Sequence, residues 1–237
     1  MPKTVTLHTP DGDMDLYDVE PEGETRGGIV VIQEAFGVNG HIEDVTRRFA
    51  AEGYRAVAPH VFHRTGDPVI EYGDYEKIMP NFAALSEAGV LNDVDAALGY
   101  LEEAGLVASR VGIVGFCMGG TVAFLVSVRR PIGAGVTFYG GGIAEGRFGM
   151  ASQLELASSL QAPWLGLYGD QDQGIPVEDV DKLRVATRGA KVDAEIVRYP
   201  EADHGFHCDA RSSYHEASAK DAWSRALAWF GNYLPGS

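Results

Sequence analysis

The stretch VGIVGFCMGG at residues 111–120 decides the fold of this chain. Its first six residues are apolar and predict a buried strand, and helical spacing resumes over residues 121–128. Between the two lies the pattern Gly-x-Cys-x-Gly, with Gly115 and Gly119 on either side of Cys117. A sharp strand-to-helix turn needs such small residues, because a Cβ atom there would collide with the neighbouring strand and helix. The pattern favours a turn that presents Cys117 as a nucleophile, and a small buried cysteine on an ordinary turn is the alternative.

Apolar runs and helical segments alternate along the rest of the chain. Residues 4–9 and 14–19 alternate around a Pro-Asp-Gly-Asp turn, which predicts an antiparallel hairpin. The later apolar runs are typical of a mostly parallel sheet with helices on both faces. The predicted strands are 28–32, 55–58, 111–116, 135–139, 164–168 and 195–199, and the predicted helices are 41–52, 90–101, 121–128, 177–187 and 213–233. We expect one α/β domain over residues 1–237, in which the irregular residues 60–81 cap a site.

The composition excludes several classes of function. The chain has 19 basic and 34 acidic side chains in 237 residues, a formal net charge of −15, so nucleic acid and acidic membrane surfaces would repel it. The longest apolar segments are too short to span a bilayer, and the first residues lack the pattern of a secretion signal, so a cytoplasmic protein is predicted. Two cysteines, Cys117 and Cys208, are too few for a disulfide scaffold.

Polar residues follow two further predicted strands and complete a catalytic set with Cys117. Asp170 and Asp172 follow one strand, and His204 follows the next. The chain order nucleophile, acid, histidine at the carboxyl ends of strands is typical of the α/β-hydrolase fold. Asp172 is predicted as the acid, with Asp170 as the nearer alternative, whereas Asp203 is expected to be a solvated charge. His204 would then take the proton of Cys117, and Asp172 would orient the imidazole.

Glu34 directly follows a predicted central strand. A carboxylate in that position must stay neutral, find a partner or act on a ligand, because an unpaired buried charge is costly, and an exposed loop acid is the alternative. The backbone amides of Ala35 and Met118 are predicted to stabilise a developing oxyanion. Phe36 and Tyr139 lie at strand ends near the proposed nucleophile, so both are predicted to line an apolar substrate pocket.

Four stretches together resemble the dienelactone hydrolase (carboxymethylenebutenolidase) family. They are Gln-Glu-Ala-Phe-Gly at 33–37, Gly-Phe-Cys-Met-Gly-Gly at 115–120, Gly-Asp-Gln-Asp at 169–172 and His-Gly-Phe at 204–206. The cysteine and the glutamate are the most specific features, because generic α/β-hydrolases have serine and lack that glutamate. The resemblance spans nearly the whole chain. It implies hydrolysis of a small ester or lactone through Cys117, Asp172 and His204, with a thioacyl intermediate and no cofactor.

The resemblance also implies a gate at Glu34. In the resting enzyme Glu34 would hydrogen-bond the Cys117 thiol, and substrate binding would displace the carboxylate so that it removes the thiol proton. The family holds the substrate carboxylate with arginines, one of them four residues after the histidine, where this chain has Cys208. Arg211, in the same loop, is the candidate substitute, and an exposed surface charge is the alternative reading of that arginine.

Several alternatives stay open at this point. His-Val-Phe-His at residues 60–63, and His204, His207 and Cys208, have short spacings that zinc can use. The same scaffold without chemistry would be a ligand-binding protein, and a hydrolase with a diverged substrate would be a general carboxylesterase. Cys208 could also approach Cys117 closely enough for a reversible disulfide. We predict a small-molecule substrate, a monomer or small homo-oligomer, and a role in the degradation of aromatic compounds.

Overall fold

The computed structural model describes residues 1–234, and within them eight strands form one sheet. The strands are β1 (Lys3–Thr9), β2 (Gly12–Val19), β3 (Gly27–Ile32), β4 (Tyr54–Pro59), β5 (Val111–Phe116), β6 (Ala134–Phe138), β7 (Trp164–Gly169) and β8 (Ala194–Tyr199). Their order across the sheet is β1-β2-β4-β3-β5-β6-β7-β8. β2 is antiparallel to both β1 and β4, and all other neighbouring strands are parallel. The predicted α/β-hydrolase architecture, with its N-terminal hairpin, is confirmed.

The helices differ from prediction mainly at their starts. They are α1 (Gly40–Ala51), α2 (Met79–Ala83), α3 (Glu87–Glu103), α4 (Met118–Arg129), α5 (Gln153–Leu156), α6 (Val177–Ala186) and α7 (Glu216–Tyr233). α4 begins three residues before the predicted position, directly after Cys117. α7 begins three residues later than predicted, because the ring of His215 caps it by accepting a hydrogen bond from the amide of Ser218. In the described part of the chain, no helix is long and apolar enough to cross a membrane.

The sheet separates two hydrophobic clusters. Successive side chains of a strand point to opposite faces, and in β3 Val31 belongs to one cluster while Val30 and Ile32 belong to the other. The first cluster includes residues of α1 and α7, and the second includes residues of α3. Both faces of the central strands are therefore covered. Polar side chains can therefore contact a substrate at the carboxyl ends of the strands.

The pairing of neighbouring strands places their carboxyl ends side by side at one edge of the sheet. Ile32 of β3 lies opposite Gly115 of β5, and Phe116 of β5 lies opposite Phe138 of β6. Gly169 of β7 lies opposite Tyr199 of β8. The loops that follow these residues carry all of the polar side chains that the sequence singles out as catalytic, so the topology collects them at one edge of the sheet.

Candidate active site

Cys117 stands at a strained turn between β5 and α4. Its backbone has φ of +55° and ψ of −116°, a region that side-chain-bearing residues rarely adopt. A Cβ atom on Gly115 would lie 1.8 Å from the carbonyl oxygen of Gly119, and one on Gly119 would lie 2.5 Å from the carbonyl oxygen of Gln33. Only glycine fits at both positions. The turn predicted from the glycine spacing is therefore present, and it leaves the Cys117 side chain partly exposed.

The same close packing brings the start of α4 against the end of β3. Met118 is the first residue of α4, where backbone amides have no acceptor within the helix. Ala35 follows β3 by three residues and is buried. Because Gly119 packs directly on the carbonyls of Ile32 and Gln33, the segments that carry Met118 and Ala35 run beside each other at the nucleophile turn.

His204 and Asp172 form a direct hydrogen bond. The His204 Nδ1 atom lies 2.6 Å from Asp172 Oδ2, and the Asp172 side chain is 3% exposed. The two loops that carry them are tied together by the backbone, since the amide of Gln171 donates to the carbonyl of Ala202 at 2.9 Å. The strand β7 thus delivers the acid and β8 delivers the histidine to one point.

The two other carboxylates considered in the sequence analysis, Asp170 and Asp203, have different partners. Asp170, the rival acid, makes a two-pronged ion pair with Arg198 at 2.8 and 2.9 Å. Asp203 is exposed, as expected, and its side chain accepts a hydrogen bond from the backbone amide of His204 at 2.6 Å. Of these three carboxylates, Asp172 is therefore the one that contacts the His204 ring.

The surroundings of His204 favour its charged form. Burial lowers the pKa of the imidazole, but hydrogen bonds to Asp172 and to the Cys117 side chain outweigh burial and raise that pKa from 6.5 to about 10. The Cys117 side chain thus lies near enough to His204 to favour the charged imidazole. The imidazole contacts the carboxylate directly, and it can hold a proton at neutral pH.

Glu34 is buried and paired with an arginine. Its side chain is 1% exposed, and its Oε1 atom accepts a hydrogen bond from Arg211 Nη1 at 3.2 Å. The contact between Glu34 and the Cys117 thiol that the family resemblance implies is absent from the described residues, and that expectation is corrected here. A guanidinium is the better partner for a buried carboxylate, because it carries a full opposite charge and a thiol does not.

Arg211 is a site residue and not a surface charge. Its side chain is 15% exposed and its guanidinium lies 5.7 Å from the ring centre of Phe36 and 6.0 Å from that of Tyr72. Gly205, with φ of +78°, leaves the room that the guanidinium occupies, because a side chain there would overlap it. The loop after β8 therefore places a cation beside Glu34, in the same loop as Cys208.

Two aromatic residues border these groups, and their role in lining a substrate pocket stays a prediction. Phe36 is 3% exposed and packs edge-on against Tyr72, with ring centres 4.6 Å apart. Tyr139 is fully buried, has φ of +40°, and lies 5.1 Å from the ring of His204. Residues 60–81 pack over this side of the site, since the amide of Ile70 donates to the carbonyl of Phe36 at 3.0 Å.

The comparisons with known proteins agree with this geometry. A sequence model of the dienelactone hydrolase family matches residues 14–234. The chain belongs to the dienelactone hydrolase family. A relative from Salmonella typhimurium (strain LT2), named "Putative carboxymethylenebutenolidase", is 39% identical over 246 residues, which cover 96% of this chain and 91% of the relative. The molecule is thus a dienelactone hydrolase-like hydrolase with an α/β-hydrolase fold.

Solved structures from the same family superimpose along the whole length. The structure of a "Putative Dienelactone Hydrolase" from Klebsiella pneumoniae subsp. pneumoniae MGH 78578 has a TM-score of 0.88 at 38% identity, covering 98% of this chain and 99% of that one. A dienelactone hydrolase-like promiscuous phosphotriesterase from metagenomic libraries has a TM-score of 0.79 at 25% identity, covering 98% of both chains.

The histidines of the zinc hypothesis are not brought together. His60 pairs with Asp67, and His63 pairs with Asp93 at 3.1 Å. His207 is buried among aromatic rings, and burial holds its pKa well below the usual value. These imidazoles are individually paired or packed.

Cys208 and a residue missed by the sequence reasoning form a separate group beside Glu34. Cys208 is a free, buried thiol whose Sγ atom lies 3.2 Å from the Tyr72 hydroxyl. His41, the second residue of α1, was not singled out, although its place soon after β3 is the signal that could have found it. Among the described residues, Glu34, His41 and Cys208 are the side chains whose spacing suits a metal ion.

Proposed function

We propose that this hydrolase cleaves a small ester or lactone with Cys117 as nucleophile, His204 as acid and base, and Asp172 as the group that orients His204. One observation carries the proposal: His204 is hydrogen-bonded to Asp172 at 2.6 Å, and Asp172 and Cys117 together raise the pKa of its imidazole. This supports an activated nucleophile, which needs a nearby base that is itself fixed by a third group.

Attack begins with transfer of the thiol proton to His204. The imidazole keeps that proton at neutral pH, because its pKa is raised to about 10, and the sulfur is left as a thiolate. The thiolate forms a bond to the substrate carbonyl carbon, and the π electrons of the carbonyl move to oxygen. The amides of Ala35 and Met118 are proposed to hold this oxyanion, since both belong to segments that meet at the turn.

Collapse of the tetrahedral intermediate breaks the ester carbon–oxygen bond. The leaving oxygen takes the proton from His204, and the acyl group remains on Cys117 as a thioester. A water molecule then gives a proton to His204 while its oxygen attacks the thioester carbonyl, and the thiolate leaves, so that the thiolate–imidazolium pair is restored for the next substrate. Every proton in the cycle passes through His204, and no cofactor is called on.

The pair of Glu34 and Arg211 supports a preference for substrates that carry a carboxylate. Such a carboxylate would compete with Glu34 for the guanidinium, which lies 5.7 Å from the ring centre of Phe36. Arg211 would then serve in place of the family arginine at the position of Cys208. A neutral aryl ester, which makes no demand on Arg211, is the second substrate class to be tested.

The proposal is tested by following hydrolysis of a dienelactone and of an aryl acetate, under reducing conditions, for the wild type and for Cys117→Ala. We expect at least one substrate to turn over and the variant to lose about 10³-fold or more in kcat, as for removal of other nucleophiles. Lactone turnover would place Arg211 as the carboxylate anchor, and acetate turnover alone would indicate a general carboxylesterase. Full activity in Cys117→Ala would overturn the proposed nucleophile.

A further inference from the structure

Three donor side chains from different elements converge beside the proposed catalytic residues. Glu34 follows β3, His41 lies in the first turn of α1, and Cys208 lies in the loop after β8. One carboxylate oxygen, one imidazole nitrogen and the thiol sulfur all lie within 4.8 Å of one another. Their chemistry is that of the ligands used for Zn²⁺ in proteins.

Two of these side chains have buried atoms that are left without a partner. The Oε2 atom of Glu34 and the Nε2 atom of His41 are inaccessible to solvent and have no hydrogen-bond partner within residues 1–234. Glu34 as a whole is 1% exposed, and its other carboxylate oxygen is already occupied by Arg211. Unpartnered buried polar atoms are costly, and their concentration at one point indicates a missing ligand.

One member of the group borders a cavity. A cavity of about 540 Å³ is lined by residues of the start of α1, of the capping segment and of the loop after β8, including His41, Tyr72 and Asp209. Imidazole is a common metal ligand, so His41 offers an ion a first contact from this cavity, with the carboxylate and the thiol within 4.8 Å.

We propose that Glu34, His41 and Cys208 bind a divalent cation of the Zn²⁺ class. Zinc bonds to sulfur at about 2.3 Å and to nitrogen or oxygen at about 2.0–2.2 Å, so small side-chain movements close the observed group onto one ion. The Cys208 proton is released to solvent as the sulfur–metal bond forms, and water takes the fourth position. The thiol and imidazole select Zn²⁺ and Co²⁺ over Mg²⁺ and Ca²⁺, which prefer oxygen ligands.

The metal would also hold the gate closed, a consequence that rests on the proposed function. Glu34 bound through one oxygen to Arg211 and through the other to the cation would not leave when a substrate carboxylate arrives. Zn²⁺ is therefore an inhibitor acting through Glu34, and it does not take part in the hydrolytic steps. Binding of the ion itself does not depend on the identity of the nucleophile.

The test uses Co²⁺ as a spectroscopic probe in the full chain carrying Cys117→Ala, which removes the other thiol. We expect one equivalent of Co²⁺ to give thiolate-to-metal absorption in the near ultraviolet, and Zn²⁺ to abolish it by displacement. Cys208→Ser in that background should remove the band. His41→Ala should weaken Co²⁺ binding by about tenfold or more, the usual effect of losing a ligand contact, and His8→Ala, which removes an exposed imidazole, should leave it unchanged.

Absence of the thiolate band in Cys117→Ala with excess Co²⁺ would overturn the site, as would a band that survives Cys208→Ser. The first outcome needs no further variant, so it stands even if Cys208→Ser fails to fold. A second measurement separates the regulatory claim: the ratio of turnover with and without Zn²⁺ should fall in the wild type, recover with a chelator, and be closer to one in His41→Ala. A protein that binds Co²⁺ but hydrolyses no ester would retain the metal site and lose the proposed function.

Discussion

At the level of single residues, the proposed chemistry depends on which group would hold the proton of Cys117. His204 is suited to hold it, because its interactions with Asp172 and Cys117 outweigh the effect of burial on its pKa. The order of these three residues along the chain was enough to single them out, and their catalytic roles stay a prediction. The partner of Glu34 could not be predicted, since Arg211 lies 177 positions away and only the fold brings the two together.

Replacing Asp172 by asparagine removes the hydrogen bond that favours the imidazolium. We expect the pKa of His204, followed by NMR of the labelled imidazole, to fall below its wild-type value of about 10, and kcat to fall by about 10³- to 10⁴-fold. Asp203→Asn is the matched control, because Asp203 is exposed and adjacent but does not contact the ring; it should keep most of the activity. An unchanged His204 titration in Asp172→Asn would contradict the proposed relay.

The raised pKa of His204 also predicts how the stability of the folded protein changes with pH. The pKa of His204 is higher in the folded protein than the ordinary value of 6.5, so its stabilising contribution is complete below about pH 6.5 and is lost as the pH rises toward 10. The difference in free energy of unfolding between wild type and Asp172→Asn should therefore be largest near pH 6 and shrink toward pH 10. Urea denaturation at the two ends of that range measures it.

Replacing Arg211 by methionine leaves the buried carboxylate of Glu34 without its counter-charge. Loss of one partner of a buried ion pair typically costs about 3–5 kcal/mol, and we expect a decrease of about 3 kcal/mol in the free energy of unfolding. Addition of Glu34→Gln to Arg211→Met should restore part of that loss, because the unpaired charge is then gone. Equal stability of wild type and Arg211→Met in urea denaturation would show that the pair is not formed in solution.

At the level of elements, the turn between β5 and α4 has the least tolerance for change. The strands were predicted to within two residues, because apolar runs and alternation define them, whereas α4 was predicted to start three residues too late. Gly119 and Gly120 have weak helix propensity, and the sequence pattern alone assigned them to the turn. They begin the helix here, and close packing against the ends of β3 and β6 leaves no room for a side chain at either position.

Gly115→Ala is the sharpest test of that packing. Its added Cβ atom would lie 1.8 Å from the carbonyl oxygen of Gly119, so the backbone must move and the turn must widen. We expect a loss of at least about 2 kcal/mol in unfolding free energy, in the range found for overpacking, together with a large loss of kcat. Gly99→Ala is the matched control, because nothing lies within 4 Å of its added Cβ and alanine favours a helix. Similar melting curves for both variants would contradict the account of the turn.

At the level of the whole molecule, the sheet topology brings residues that are distant in sequence into one site. The alternation of apolar runs and helices was sufficient to predict the α/β architecture, since the side-chain periods of strands and helices differ. The helices α2 and α5 were not predicted, because five and four residues carry too little pattern. The contacts of residues 60–81 could not be read from the sequence either, because they depend on which strand ends lie beneath that segment.

The net charge of −15 acts on the approach of substrates. Glu34 and Arg211 offset each other locally, so an anionic ester approaching from solution is repelled by the excess of acidic side chains. Salt reduces the range of this repulsion, since the Debye length falls from about 30 Å at 0.01 M salt to about 10 Å at 0.1 M. We expect kcat/KM for an aryl hemisuccinate to rise several-fold over that range, while that for the neutral aryl acetate stays constant. A fall for the hemisuccinate would contradict this expectation.

The central claim is that the acyl group is carried by Cys117, and trapping the intermediate tests it most directly. The wild-type protein is mixed with an aryl acetate, quenched in acid within the first turnover, digested, and analysed by mass spectrometry. The account predicts one acetyl group on the peptide that contains Cys117, and none in Cys117→Ala. Turnover with the acetyl group on Cys208 or on another residue, or turnover that persists in Cys117→Ala, would contradict it.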